Sequence, residues 1–245
     1  MKLINNQIFY NLESYLDMAS FNAMHDKICY ALSKNYQHFS PSGTSQNTLF
    51  DQSTVSVYSK RDEILKSLLH DKMTIKEASI YAKLLGTVTL GTNFVLRGNI
   101  GYPATYSSKH MREFTSLFDF DDQFKFLFDW IDAQDCFSTY GRVIFWINEP
   151  GQVTAYHTDY PTDNKNKKND PFIWLTGKIP KQLRLLDPDT NEVHYSNAKA
   201  CVFNTNNIHS SIGHPQYTAW SLRVDGMFTK EWAEKAGIAE HFNIT

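Results

Sequence analysis

The segment 151–161, GQVTAYHTDYP, places a histidine and a carboxylate two positions apart, at His157 and Asp159. Both residues end a run that predicts a strand, so their side chains should point to the same side of it. One imidazole and one carboxylate are two of the three protein ligands of the facial triad, which binds iron(II) and leaves coordination positions open. A histidine–aspartate hydrogen bond without a metal is the alternative interpretation of the pair.

A third ligand must come from a distant part of the chain. His209 follows a predicted strand and a polar turn, which would carry it across a barrel and back towards the pair. His214 competes with it, but this residue lies in a Gly-His-Pro turn, which would orient the ring by turn geometry. We therefore expect His157, Asp159 and His209 to hold the metal, with His214 as the alternative to His209.

The elements that must position these ligands change in character near residue 140. Before it, helical spacing of apolar residues and a capping-box sequence predict helices at 11–32, 60–70, 74–85, 107–118 and 121–137, interrupted by a β-rich segment at 87–96. After it, short runs separated by Pro- and Gly-containing turns predict strands at 142–148, 153–158, 172–176, 182–186, 192–195, 200–204 and 219–228.

Helices followed by closely spaced strands predict a mainly β fold with flanking helices, in which a jelly roll is buttressed on one face. We expect one domain over residues 1–245, with a helical buttress at about 1–139 and a jelly-roll core at about 140–230. An eight-stranded roll needs one strand from the earlier part of the chain, and the segment 87–96 is the candidate.

Three stretches of the second half carry a resemblance to a known family. INEPGQVTAYHTDYP, CVFNTNNIHSSIGHP and AWSLRVDGMF resemble, in this order, core blocks of the 2-oxoglutarate/Fe(II)-dependent dioxygenases, and are most similar to aspartyl/asparaginyl-hydroxylase-like members. The resemblance covers about residues 140–230. It implies a double-stranded β-helix, a cupin-like jelly roll, with iron held by His157, Asp159 and a distal histidine. It also implies 2-oxoglutarate as a co-substrate that chelates the iron through its keto and C1-carboxylate oxygens.

The same resemblance implies a basic residue on the strand after the distal histidine, which pairs with the far carboxylate of 2-oxoglutarate. In aspartyl-hydroxylase-like members this residue would fall at Ala219, whereas the basic residue of this strand is Arg223. Positions 219, 221 and 223 share one strand face, so Arg223 can point into the barrel beside Ser221. We expect Arg223 and Ser221 to bind 2-oxoglutarate, with Arg142 and Arg184 as the next candidates.

The resemblance thus implies hydroxylation of a C–H bond in an amino acid, a peptide or protein side chain, or a small metabolite, with dioxygen as the oxidant. Two other functions are compatible with a jelly roll. One is a cupin-like isomerase or lyase that uses its metal as a Lewis acid, and the other is a non-catalytic binding module.

The amino-acid composition of the chain bears on which classes of partner it can bind and on its cellular environment. The net charge is −2 over 245 residues and no basic tract occurs, which argues against nucleic acid as a partner. No window approaches the length of an apolar membrane span. The three cysteines, Cys29, Cys136 and Cys201, form no C-x-x-C pair, which favours a reducing, cytoplasmic environment over a disulfide framework. The oligomeric state is left open by the sequence.

Overall fold

The structure, a computed structural model, describes residues 3–35, 40–41, 92–97, 121–148, 150, 154, 171–187 and 189–244. The helices predicted at 60–70, 74–85 and 107–118 lie outside these residues, and so does the strand predicted at 153–158 apart from Thr154. His157 and Asp159 also lie outside them.

The described strands form two antiparallel sheets. They are β1 Phe9–Asn11, β2 Ser40–Pro41, β3 Thr92–Arg97, β4 Phe137–Asn148, β5 Phe172–Thr176, β6 Gln182–Leu186, β7 Val193–Ser196, β8 Ala200–Phe203, β9 Ile208–Ile212 and β10 Ala219–Phe228. The large sheet has the order β1-β8-β5-β10-β4-β3-β2 and the small sheet the order β7-β6-β9. The chain crosses between the sheets after β5, β7, β8 and β9, which is the winding of a jelly roll. The predicted mainly β double-stranded β-helix is confirmed.

Most strand predictions agree with the observed elements. The bounds of β5, β6 and β10 coincide with the predicted ones, and β4 begins earlier, at Phe137. The strand expected from the first half is present as β3, which pairs with β4 along most of its length. The strand β9 was not predicted, because three of its five residues are polar and the run IHSSI lacks apolar alternation.

The helices of the described residues are α1 Met18–Ala23, α2 His25–Lys34, α3 Asp121–Ala133, α4 Lys230–Lys235 and α5 Ala239–Phe242. The single helix predicted at 11–32 is wrong: a 3-10 turn at Glu13–Tyr15 comes first, and α1 begins where the Asp17 side chain accepts a hydrogen bond from the Ser20 N–H. The helix predicted at 121–137 ends four residues early, because Asp135 adopts a φ of +52° before β4 begins. No helix in the described ranges is long and apolar enough to span a membrane.

Helices cover one face of the large sheet. Trp220 of β10 stacks on His25 of α2, with ring centroids 5.5 Å apart, and meets Phe21 of α1 edge-on at 6.1 Å. Phe145 of β4 lies between Trp220, at 5.3 Å, and Phe124 of α3, at 6.1 Å. Since side chains alternate along a strand, positions 220, 222 and 224 of β10 share this helix-covered face.

The alternate positions of β10 face the small sheet, and we call this side the inner face. Arg223 lies opposite Trp174 of β5, and Trp174 lies opposite Cys201 of β8. Phe203 is two residues beyond Cys201 and so projects from the same side. Its ring meets that of His209 in the small sheet at 5.1 Å, so the inner face and His209 enclose a common interior.

Candidate active site

His209 is buried at the second position of β9, with 6% of its surface exposed. Its Nδ1 lies 2.9 Å from the carbonyl oxygen of Asn207. A carbonyl oxygen only accepts, so Nδ1 carries the proton in this hydrogen bond, and in the neutral ring the lone pair is then on Nε2. Histidine ligands of metals are commonly oriented in this way, by an N–H to a backbone carbonyl from the nitrogen that does not bind the metal. The donor chemistry of His209 therefore fits a metal ligand.

Thr154 shows where the chain runs just before the predicted ligand pair. Its N–H donates to the carbonyl oxygen of Ser211 at 2.8 Å, and the two hydroxyl oxygens are 2.9 Å apart. The chain at Thr154 therefore lies beside β9. Within the described part of the chain, no group of three or more His, Cys, Asp and Glu side chains could hold a metal, and His157 and Asp159 fall outside that part.

His214 has a different environment from His209. It follows the end of β9, whereas His209 lies near the beginning, so the two candidates are separated by most of this strand. The Nδ1 atom of His214 accepts a hydrogen bond from the Gln216 N–H at 3.1 Å, and its ring packs at 4.9 Å on Tyr217, which is 55% exposed. His214 therefore lies in the surface connection between β9 and β10, where the backbone of the turn donates a hydrogen bond to its Nδ1 atom.

Arg223 is buried on the inner face and engages a carboxylate. Its Nε donates to Oδ1 of Asp225 at 2.8 Å, and its Cζ lies 4.2 Å from the centroid of the Phe172 ring. Asp225 is fully buried and accepts a second hydrogen bond from Nε of Arg142 at 2.7 Å. One carboxylate between two guanidinium groups leaves this trio with a net charge of +1. A cation thus faces the interior, held in position by Asp225.

Ser221 lies on the same face as Arg223, two positions before it. It is fully buried, and within the described residues its hydroxyl has no hydrogen-bond partner. Burying a hydroxyl without a partner costs about 1–3 kcal/mol in proteins. The hydroxyl is therefore suited to a polar group of a bound molecule.

Arg184, one of the two further candidates for binding the far carboxylate of 2-oxoglutarate, projects from the side of the small sheet opposite to His209. It is fully buried and its Nη2 donates to Ser210 Oγ at 2.9 Å. In the β6–β9 register Arg184 lies opposite Ser210, and Leu185 lies opposite His209. Since alternate residues of a strand point to opposite sides, Arg184 and His209 do not share a face.

Lys181 was not singled out from the sequence. It precedes β6 and is 4% exposed, with its Nζ donating to the carbonyl oxygen of Trp146 at 3.3 Å. Burial lowers the pKa of its ammonium group from 10.5 to about 7. In the sequence GKIPKQLRLL a lysine before a strand is typical of an exposed turn, and no local signal separates it from Lys178.

Comparison with known proteins yields only distant structural likenesses. No protein-family model matches the chain, and no curated protein matches it. A prolyl-4-hydroxylase from Pseudomonas putida is 12% identical, with 56% of this chain and 71% of that one covered and a TM-score of 0.31. A viral collagen prolyl hydroxylase from Paramecium Bursaria Chlorella virus-1, solved as a 2OG complex, is 10% identical, with 62% and 89% covered and a TM-score of 0.30.

Oxalate oxidase in complex with glycolate is 11% identical, with 35% of this chain covered and a TM-score of 0.27. The chain spans less than half of the oxalate oxidase chain, with 41% covered. Likenesses at these TM-scores carry no argument. The strand order and register establish the double-stranded β-helix. Among the described residues, its interior is lined by buried His209, buried Arg223 and the Ser221 hydroxyl, which has no hydrogen-bond partner there.

Proposed function

We propose that the chain is a 2-oxoglutarate- and Fe(II)-dependent dioxygenase that hydroxylates a C–H bond of an amino acid, a peptide or protein side chain, or a small metabolite. The observation that carries the proposal is the environment of His209. Its ring is buried between the two sheets, and its Nδ1–H donates to the Asn207 carbonyl oxygen, which orients the ring. We assign the iron to His157, Asp159 and His209.

The position of Thr154 supports this ligand set. Thr154 lies beside Ser211 of β9 and precedes His157 by three residues. The strand predicted from the sequence at 153–158 contains both Thr154 and His157. Two imidazoles and a carboxylate at one place are the donor set of non-haem iron(II) enzymes. When bound, the iron would supply the activation of dioxygen. The oxidative decarboxylation of 2-oxoglutarate to succinate would drive that activation.

In this proposal, residues of the chain bind and orient the metal and 2-oxoglutarate, and they exclude water from the site. The Asn207 carbonyl oxygen holds the His209 ring, and Asp225 holds the Arg223 guanidinium group on the inner face. We propose that Arg223 and Ser221 contact 2-oxoglutarate, as the sequence predicts. The rings of Phe172 and Phe203 pack edge-to-face at 5.2 Å between Arg223 and His209, so aromatic rings line this part of the interior.

The branch of the superfamily and the compartment are part of the proposal. The three motif blocks are most similar to aspartyl/asparaginyl-hydroxylase-like members, and we propose that branch or a related one. A related branch is included because Arg223 lies four positions after Ala219, where those members would carry their basic residue. All three cysteines are free thiols, which is compatible with the cytoplasm.

Single variants of the ligands test the metal assignment. We expect His157→Ala, Asp159→Ala and His209→Ala each to remove most Fe(II) binding, measured by metal analysis after anaerobic loading, because a facial triad has no spare protein ligand. His214→Ala is the matched control and should bind iron like the parent. Loss of iron in His214→Ala with retention in His209→Ala would show that the distal ligand is wrong. A cupin-like Lewis-acid enzyme would bind metal without ever converting 2-oxoglutarate to succinate.

A further inference from the structure

Lys181 presents a buried ammonium group without a counter-ion. It is 4% exposed, and among the described residues no carboxylate forms an ion pair with it. Burial alone accounts for the lowered pKa of Lys181, with no charged neighbour contributing. A buried ammonium is costly unless it is paired, and lysine is rarely buried for this reason. An anion from outside the chain would remove that cost.

The backbone register places this side chain over one point of the inner face. The Lys181 N–H donates to Oγ1 of Thr176 on β5 at 3.2 Å, whereas its Nζ reaches the carbonyl oxygen of Trp146 on β4 at 3.3 Å. Thr176 and Trp146 are the residues opposite Ser221 on its two neighbouring strands. The Lys181 side chain therefore crosses β10 at the level of Ser221.

Two buried donors consequently meet at this level without satisfying each other. The Ser221 hydroxyl has no partner within the described residues, so it does not bond to the Lys181 ammonium. An ammonium has three donors, and Lys181 uses one of them on the Trp146 carbonyl oxygen. A carboxylate has two acceptor oxygens and can bridge an ammonium and a hydroxyl that do not touch.

Arg223 is another cation of the inner face, and it lies at a different level of β10. It lies two residues from Ser221 along β10, about 7 Å further towards Phe172 and His209. Its Nε is already bound to Asp225. Lys181 has no such carboxylate among the described residues, and its side chain crosses β10 at the level of Ser221.

We propose that Lys181 and Ser221 form an inner anion site that binds one carboxylate of a small dicarboxylate. The assignment rests on the proposed function in one respect: the dicarboxylate is 2-oxoglutarate, whose keto end lies towards His209 and whose far carboxylate lies between Lys181 and Ser221. The proposal makes Lys181 the principal cation for that carboxylate, with Arg223 nearer the metal end.

The test compares dissociation constants of 2-oxoglutarate for the full chain loaded anaerobically with Fe(II). We expect Lys181→Met to weaken 2-oxoglutarate about 30-fold or more and Ser221→Ala about 3- to 10-fold, with Fe(II) affinity unchanged. Lys178→Met is the matched control, since its side chain is 49% exposed and it lies three residues away; it should bind like the parent. Parent-like affinity in Lys181→Met overturns the inner anion site and leaves the proposed function standing.

A second measurement covers the case in which the proposed function fails. If the iron-loaded parent binds no 2-oxoglutarate, thermal shifts of the metal-free protein with acetate, succinate and glutarate test the site alone. Stabilisation of the parent that is lost in both Lys181→Met and Ser221→Ala supports the anion site. The inner anion site is overturned if none of these carboxylates stabilises the parent more than it stabilises Lys181→Met.

Discussion

Replacing Lys181 by methionine should stabilise the ligand-free protein. Methionine fills a similar volume without a charge, so the change removes the cost of burying an ammonium group. The fall of the Lys181 pKa from 10.5 to about 7 corresponds to a cost of about 5 kcal/mol. The lost hydrogen bond to the Trp146 carbonyl oxygen offsets about 1.5–3 kcal/mol of the gain. We therefore expect the free energy of unfolding to rise by about 2–3 kcal/mol below neutral pH.

The expected gain depends on pH in a defined direction. Below about pH 7, Lys181 is charged in both the folded and the unfolded protein, and the full cost of burial is present. Between about pH 7 and 10.5 the folded protein loses this proton while the unfolded chain keeps it, so the parent gains stability as pH rises. At about pH 9 roughly 3 kcal/mol of the cost has been relieved, and the advantage of Lys181→Met should be close to zero.

Urea unfolding of the metal-free protein, followed by tryptophan fluorescence at about pH 6 and about pH 9, measures both quantities. The control is Lys178→Met: its side chain is exposed and lies 3.7 Å from Asp26, so the change should alter stability by less than about 1 kcal/mol at either pH. The reasoning is refuted if Lys181→Met is less stable than the parent at the lower pH, or if its gain is the same at both.

Three further predictions follow from the buried charges and thiols. Arg223→Ala should lower the free energy of unfolding by about 2–4 kcal/mol, because it removes one partner of the buried Asp225 carboxylate. The control is Lys125→Ala, which breaks the ion pair of Lys125 with Asp129, whose side chains are 69% and 58% exposed. Equal losses of stability in the two variants would contradict the role of the Arg223–Asp225 ion pair. Above about pH 7, 2-oxoglutarate binding should take up a proton at Lys181, seen by calorimetry in buffers of different ionisation enthalpy and absent in Lys181→Met; the same uptake in both proteins would contradict the assignment. Iodoacetamide should label half-buried Cys29 in the folded protein, and labelling of the other cysteines at the same rate would contradict their burial. Burial raises the pKa of both other thiols, Cys136 and Cys201, to about 12.

The fold was predictable where apolar runs are bounded by turn residues. FIWLT and QLRLL are fully or mostly buried strands, and the runs between them and β10 contain proline, glycine and aspartate. The strand β9 was missed because its polar residues have partners that only the fold provides: Ser211 meets Thr154, and Ser210 accepts a hydrogen bond from Arg184. From the sequence alone, a polar segment of this kind is predicted to be a loop.

The candidate site divides in a similar way. The side shared by Ser221 and Arg223 follows from strand parity alone, and the register agrees with it. The same parity places Asp225 beside Arg223, so this ion pair was within reach of the sequence. The burial of Lys181 was not, because it depends on contacts with Thr176 and Trp146 that only the register of three strands brings together.

An anaerobic titration of the full chain with Fe(II) and 2-oxoglutarate, followed by visible absorption, is the decisive experiment for the proposed activity. We expect a weak charge-transfer band that requires both components, saturates at one equivalent of each, persists in His214→Ala and disappears in His209→Ala. Iron binding without any band at saturating 2-oxoglutarate would contradict the assignment of this chain as a 2-oxoglutarate-dependent dioxygenase.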